Sequence, residues 1–250
     1  MSGHNKWAGI KHRKAAVDKK KGAAFSKYAR MIMSAVKQGG PDPDSNFKLQ
    51  FAVEKARAVN MPRENIERAI KRGAGDGEGE SFEDLVYEGY GPGGVAFRVD
   101  ALTDNRNRTA PEMRSIFESH GGRMGTAGSV ARLFTALAVF RVPAAGLSED
   151  RVMEIAVDGG ADDFALEGDS WVLKAPAPGF VGVRDALVRA KLTPSSAGIE
   201  QVPNMTTAVN DEETARKLIA LHDELDENDD VQNVWMNADI SDAIIAKLNA

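Results

Sequence analysis

Gly73-Ala74-Gly75-Asp76-Gly77-Glu78-Gly79-Glu80 is the point at which one hydrophobic period ends and another begins. Its four glycines and three acids in eight residues offer almost nothing to bury, so the segment reads as a linker and a domain boundary. Upstream, Phe25, Tyr28, Ala29, Ile32 and Val36 recur at the three-and-four spacing of one helical face, and Gly39, Gly40 and Pro41 end the pattern. Asp44 or Ser45 is placed to cap a second helix with Leu49, Ala52, Val53, Ala56 and Val59 as its buried stripe. A third helix is expected from Pro62, turning Ile66, Ala69 and Ile70 inward and stopping at Gly73. Residues 1–75 are therefore predicted to form a three-helix bundle.

Downstream the period changes. Residues 95–102 alternate as a strand, 106–120 carry Met113, Ile116 and Phe117 on one helical face, and 129–134 return to strand. A second unit has a strand at 138–142, a helix at 149–157, a hairpin through 164–173 and a helix at 181–190. A third has a strand at 206–209, a helix at 212–227 and a strand at 231–236. Short alternating units of this kind predict an α+β, multidomain chain: the bundle, then two small ferredoxin-like α/β domains with helices on one face of each sheet. The loop from Tyr87 to Gly94 is read as a hairpin turn that sets Tyr90 at an edge.

Charge is distributed as unevenly as the periods. The 250 residues carry 32 Lys+Arg and 37 Asp+Glu, a formal net charge of −5. Residues 1–72 hold 17 basic and 6 acidic side chains, a net of +11, which leaves 15 basic and 31 acidic, a net of −16, for the remainder. With no cysteine, disulfides, thiolate nucleophiles and thiolate metal sites are excluded. No apolar run approaches the roughly 18 residues of a membrane span. The basic N-terminus lacks the apolar segment of a secretion signal, and a cytoplasmic protein is expected.

Groups suited to bond chemistry are scarce. His4, His12, His120 and His222 are scattered, with no metal-binding helical spacing. Asp226, Asn228 and Asp230 imitate the start of a calcium loop, but Val231 and Asn237 stand where the turn glycine and the bidentate Glu belong. The acids from Asp223 to Asp230 read as a solvated surface, or as a contact for a basic partner or for the chain's own basic head. Gly121 to Gly128 follows a helix and precedes a strand, an order that favours a structural turn over a phosphate cradle. Thr103-Asp104-Asn105-Arg106-Asn107-Arg108 supports two readings equally: Arg106 and Arg108 beside free amides at a helix start invite an anion, or Asp104 or Asn105 caps the helix while the arginines pair with local acids.

The strongest signal is the N-terminal arm. Lys6, Lys11, Arg13, Lys14, Lys19, Lys20, Lys21, Lys27 and Arg30 are opposed only by Asp18, with His4, Trp7 and His12 interleaved. Cations neutralise phosphates and release counterions, and Trp7 can stack on a base. The expected nucleic-acid-binding residues are thus Lys6, Trp7, Lys11, His12, Arg13, Lys14, Lys19, Lys20, Lys21, Lys27, Arg30, Arg106 and Arg108. No catalytic residue, metal or cofactor is expected.

The same residues carry a resemblance. Gly3-His4-Asn5-Lys6-Trp7-Ala8, Ile10 to Ala15, Asn60-Met61-Pro62, Asn65 to Ile70, Tyr87 to Gly94, Leu102 to Thr109, His120-Gly121-Gly122, Gly128-Ser129-Val130 and Asp229 to Val234 resemble the YebC/PmpR family over essentially the whole chain. The resemblance implies a three-domain fold, in which 80–135 with 205–250 form one α/β domain and 136–204 form another inserted in it. It also implies one of two roles. Some family members are labelled promoter-binding regulators; others, including a mitochondrial activator of translation of a cytochrome oxidase subunit, resemble ribosome-associated factors that help synthesis through consecutive prolines. Lysine-rich bundles neutralise phosphate well but read base edges poorly, and an acidic body repels a long duplex. The expectation is a monomeric, non-enzymatic factor that contacts ribosomal RNA and assists translation, with promoter DNA as the alternative partner and neither membrane nor small-molecule substrate involved.

Overall fold

The computed structural model describes residues 17–75 and 82–248. The first three helices are α1 (Val17–Gly39), α2 (Phe47–Ala58) and α3 (Arg63–Ala74). Ile32, Val36, Leu49, Ala52, Val53, Ala56, Ile66 and Ala69 meet in one buried cluster that also takes in Met61, as their spacing predicts. Phe82, the first described residue past the linker, packs on the same cluster.

Two details differ from expectation. The cap of α2 is neither Asp44 nor Ser45 but Asn46, which is buried. Its Oδ1 accepts from the Leu49 amide at 3.1 Å, while its Nδ2 donates to the carbonyls of Ala35 and Gly40, both at 2.8 Å. One amide side chain thus closes the start of α2 and the end of α1. Gly73 does not stop α3. It lies inside the helix, where a Cβ would come within 3.0 Å of the Met33 backbone and 2.9 Å of Val36, so its lack of a side chain permits close packing of α3 on α1.

The described chain clusters into two units, with 132–206 separating from a larger unit that contains the bundle, 82–131 and 207–248. In the larger unit β1 (Glu83–Tyr90), β2 (Ala96–Thr103), α4 (Arg106–Ser119), β3 (Arg123–Met124), α7 (Glu212–Glu227) and β9 (Val231–Met236) build an antiparallel sheet of order β3-β1-β2-β9. Phe97 and Phe117 meet edge to face, with centroids 5.9 Å apart. Leu218, Leu221 and Leu225 of α7 are fully buried. A parallel pair, β8 (Thr207–Val209) with β10 (Ala238–Ile240), and helix α8 (Asp242–Leu248) complete the unit.

In the smaller unit β4 (Phe134–Pro143), α5 (Glu149–Gly159), β5 (Asp163–Glu167), β6 (Ser170–Pro176), α6 (Phe180–Arg189) and β7 (Ser196–Pro203) run βαββαβ, with sheet order β5-β6-β4-β7. That is the split βαβ arrangement of ferredoxin-like folds. The larger unit reaches a similar spatial order by another path, because the strand between β3 and β2 enters first, as β1.

β1 itself corrects the loop reading of Tyr87 to Gly94. The strand runs to Tyr90, and only residues 91–94 turn, with Gly93 and Gly94 at φ of 70° and 75°. Gly89 pairs with Phe97 and Met124 within the sheet, and a Cβ there would come within 2.7 Å of both the Phe117 ring and the Arg123 carbonyl, so the strand takes a glycine at this point. The strand expected at 129–134 is instead a 3-10 turn at Ala131–Leu133, and extended structure begins at Phe134.

Replacing Asn46 by Ala removes a buried donor and acceptor from three backbone partners, and should cost about 2–3 kcal/mol in denaturant unfolding. An Asn46→Ala variant as stable as the parent would remove this side chain from the set that joins α1 to α2.

Candidate nucleic-acid interface

Lys6, Trp7, Lys11, His12, Arg13 and Lys14 lie outside the described residues. Lys19, Lys20 and Lys21 lie on the first turns of α1. Further along that helix Lys27 and Arg30, three positions apart, reach the end of α7. Lys27 Nζ sits 3.2 Å from Asp226 Oδ1 and 3.3 Å from the Asp226 carbonyl. Arg30 donates to the Asp229 carbonyl, and its guanidinium lies 3.0 Å from Asp230 Oδ1 and 3.9 Å from Asp229 Oδ2. Tyr28, between them, has its hydroxyl pKa pushed up by burial and further by the Asp226 carboxylate.

The acids from Asp223 to Asp230 therefore do more than face solvent: three of them meet the chain's own basic helix. The end of α7 carries no basic residue in its last turn, where the negative end of the helix dipole disfavours carboxylates. Lys27 supplies the missing cation.

Asp230 is the centre of this region. It is 2% exposed, and four side chains converge on it. Thr103 and Thr109 direct their hydroxyls at Oδ2 from 3.0 and 2.7 Å, Arg108 Nη2 lies 2.8 Å from Oδ2 and 3.1 Å from Oδ1, and Arg30 closes the other side. Burial pushes the Asp230 carboxyl upward, but the hydrogen bonds from Arg108, Thr109 and Thr103 and the charge of Arg30 outweigh it and hold the pKa below the ordinary value. Hydrogen bonds to Asp230 and Asp104 hold the Arg108 pKa above its ordinary value.

The two readings of Thr103 to Arg108 now separate. Asn105 caps α4, accepting from the Arg108 amide at 3.2 Å. Arg108 pairs with Asp104 at 2.9 Å and with Asp230. Arg106 is exposed and forms no ion pair among the described residues. Of the expected site residues with described side chains, Lys27, Arg30 and Arg108 already hold internal carboxylates, and Arg106 alone faces outward without one. Sequence reading passes over exposed cations of α2 and α3, Arg57, Arg68 and Lys71; the signal for them is their place on the polar faces of helices whose apolar stripes are plain.

The glycine-rich turn is structural. Glu88, 4% exposed, accepts from the Val130 amide at 3.1 Å through Oε2, and its carbonyl accepts from the Gly125 amide at 2.8 Å. The amides of Gly121, Gly122 and Gly125 are taken by the backbone carbonyls of Glu118, Phe117 and Glu88, which leaves them committed within the fold. Tyr90 donates to the Ser129 carbonyl at 2.9 Å, fixing the same turn from the end of β1.

Known proteins match this chain over nearly all of its length. The N-terminal-domain profile of the TACO1/YebC family matches residues 5–76, and the profile of its second and third domains matches 82–238. The chain belongs to the TACO1/YebC family. A "probable transcriptional regulatory protein" of Methylococcus capsulatus is 51% identical over 99% of this chain and 100% of its own, and one from Rubrobacter xylanophilus is 48% identical over 99% of each. The crystal structure of a conserved hypothetical protein from Aquifex aeolicus superposes with a TM-score of 0.84 at 45% identity, covering 95% of this chain and 98% of the other. In this TACO1/YebC chain the runs Leu102 to Thr109 and Asp229 to Val234, far apart in sequence, meet at the Asp230 carboxylate.

An Asp230→Asn variant should lose about 3 kcal/mol, since it leaves buried donors facing a neutral amide. A depressed folded-state pKa stabilises the fold above the unfolded carboxylate value of about 4 and ceases to do so as pH falls through the lower, folded value. Unfolding measured from neutral pH into that acid range should accordingly fall less steeply for the variant than for the parent; parallel curves would take Asp230 out of the acid response.

Proposed function

We propose that the protein is a non-enzymatic nucleic-acid-binding factor that docks on ribosomal RNA through its basic N-terminal segment and assists translation of difficult, proline-rich stretches. The observation that carries this reading is the charge division, +11 over residues 1–72 against −16 over the rest. A polyanion that presents phosphates on one side, with basic ribosomal proteins nearby, matches both parts. Lys6, Trp7, Lys11, His12, Arg13, Lys14, Lys19, Lys20 and Lys21 supply the phosphate contacts and Arg106 a further one, while Lys27, Arg30 and Arg108 hold the acids that join the bundle to the α/β body. The factor works in the cytoplasm as a monomer, without metal or cofactor, by binding and positioning alone.

Promoter DNA is the second reading, favoured by the regulator names of the relatives. It requires one sequence to beat scrambled competitor by roughly 10³-fold or more, and the lysines that dominate the arm are poor readers of base edges.

Sedimentation of a gently prepared lysate through sucrose gradients separates the two. Migration with ribosomal particles, lost at high salt or after nuclease treatment, is the expected result; absence from those particles with retention on chromosomal DNA would replace it with the promoter reading. In a purified system, Lys19→Ala, Lys20→Ala and Lys21→Ala together should flatten the dependence of log K on log salt. The change should reach up to about 0.7 for each phosphate no longer neutralised on single-stranded RNA and about 0.9 on duplex DNA. An unchanged slope would remove these lysines from the interface.

A further inference from the structure

We propose that the acidic end of α7 is an internal competitor for the nucleic acid: Asp226 and Asp229 hold Lys27 and Arg30 as a latch that phosphates displace. The inference rests on the nucleic-acid reading above and adds a regulation of affinity to it.

Five observations carry it. Lys27 and Arg30 continue, on one helix, the run that begins at Lys19, so a polyanion that follows the lysines arrives at both. Each is met by carboxylates placed as a phosphate would be: Lys27 by Asp226 at 3.2 Å, and Arg30 by Asp230 at 3.0 Å and Asp229 at 3.9 Å. The acids stand at the helix end where the dipole opposes them, with no basic residue in that turn. Their position is unfavourable to α7 on its own and favourable only with α1 present. The outer carboxylates reach solvent, the Asp229 side chain 60% exposed and that of Asp226 25%, while Lys27 and Arg30 are more covered at 15% and 22%. Ion pairs with access to solvent weaken as salt rises, so a phosphate competes with the carboxylate for the same cation.

The fifth observation concerns what remains after exchange. Asp230, with its side chain 3% exposed, could not be abandoned by its only cation. Arg108, Thr103 and Thr109 stay on it when Arg30 departs. The hub has a resident arginine and a removable one. The latch therefore opens without orphaning a buried charge, and the carboxylates with solvent access, Asp226 and Asp229, are the ones that compete.

The test uses the full chain and two probes, a single-stranded RNA of mixed sequence and a DNA duplex of equal length, with binding followed by fluorescence anisotropy over a salt series. Asp226→Asn with Asp229→Asn should tighten binding roughly three- to tenfold at low salt and steepen the salt slope by up to about 0.7 per released cation on RNA or 0.9 on duplex. Glu149→Gln with Asp150→Asn changes net charge equally on exposed positions of α5, and should leave the slope unchanged. Adding Lys27→Ala and Arg30→Ala to the Asp226/Asp229 variant should cancel the gain. An equal gain from the α5 control, or a gain that survives loss of Lys27 and Arg30, would overturn the latch in favour of a general field effect. No gain, with parental binding intact and still dependent on Lys19, Lys20 and Lys21, would overturn the latch alone. Failure of the parent to bind either probe would overturn the nucleic-acid reading and the latch with it.

Discussion

The Asp230 carboxylate is the constraint around which the larger unit is arranged. A buried ionised carboxyl is costly unless its lone pairs are filled, and filling them fixes four pieces of chain at once. Thr103 ends β2, Arg108 and Thr109 form the first turn of α4, Arg30 comes from the bundle, and Asp230 itself leads into β9. The backbone takes part as well: the Asp230 carbonyl accepts from the Leu102 amide at 2.7 Å, and its amide donates to Asn228 Oδ1 at 3.0 Å. The turn that delivers α7 to the sheet is therefore set by the same residue that receives the arginines. Placement of a helix start, a sheet edge and a bundle helix follows from satisfying one charge.

The sequence shows the periodic parts of this fold plainly and the non-periodic parts poorly. Ile32, Val36, Leu49, Ala52 and Ala56 repeat at helical spacing, and all are buried. β1 is hidden because Glu88 and Gly89 are poor strand formers by local preference. Each is there for a distant partner: Glu88 for the Val130 amide, Gly89 for the Phe117 ring. The α2 cap is misplaced by sequence reading for a similar reason. Asp44, Ser45 and Asn46 are all good capping types, but joining Leu49 to both Ala35 and Gly40 takes one acceptor and two donor hydrogens, which only the amide of Asn has.

Charge is legible as density and illegible as pairing. A run of cations on a helix looks the same whether a phosphate or a carboxylate will meet it, so Lys27 and Arg30 can be singled out but their partners, about two hundred positions away, cannot. Arg106 and Arg108 differ for a geometric reason. They stand two apart at a helix start, about 200° around the axis, so one turns toward Asp230 and the other toward solvent. Spacing alone restricts both from sharing a buried partner without saying which takes it.

The balance between exposed and buried pairing also explains why the basic helix meets the body through ions. An apolar seam would hold α1 permanently, since its removal would expose surface that no polyanion can cover. The bundle already satisfies its apolar stripes internally, through Ile32, Leu49 and Ile66 with Phe82 beside them, so the face of α1 that carries Lys27 and Arg30 is free to make interactions of modest strength. Carboxylates and phosphates are interchangeable partners for such a face. What distinguishes them is number and connection: a nucleic acid offers linked phosphates along the whole run from Lys19 to Arg30, whereas the end of α7 and the turn after it meet Lys27 and Arg30. On the proposed latch, the internal pairing seats α1 against the end of α7 in isolation and yields to a longer anion.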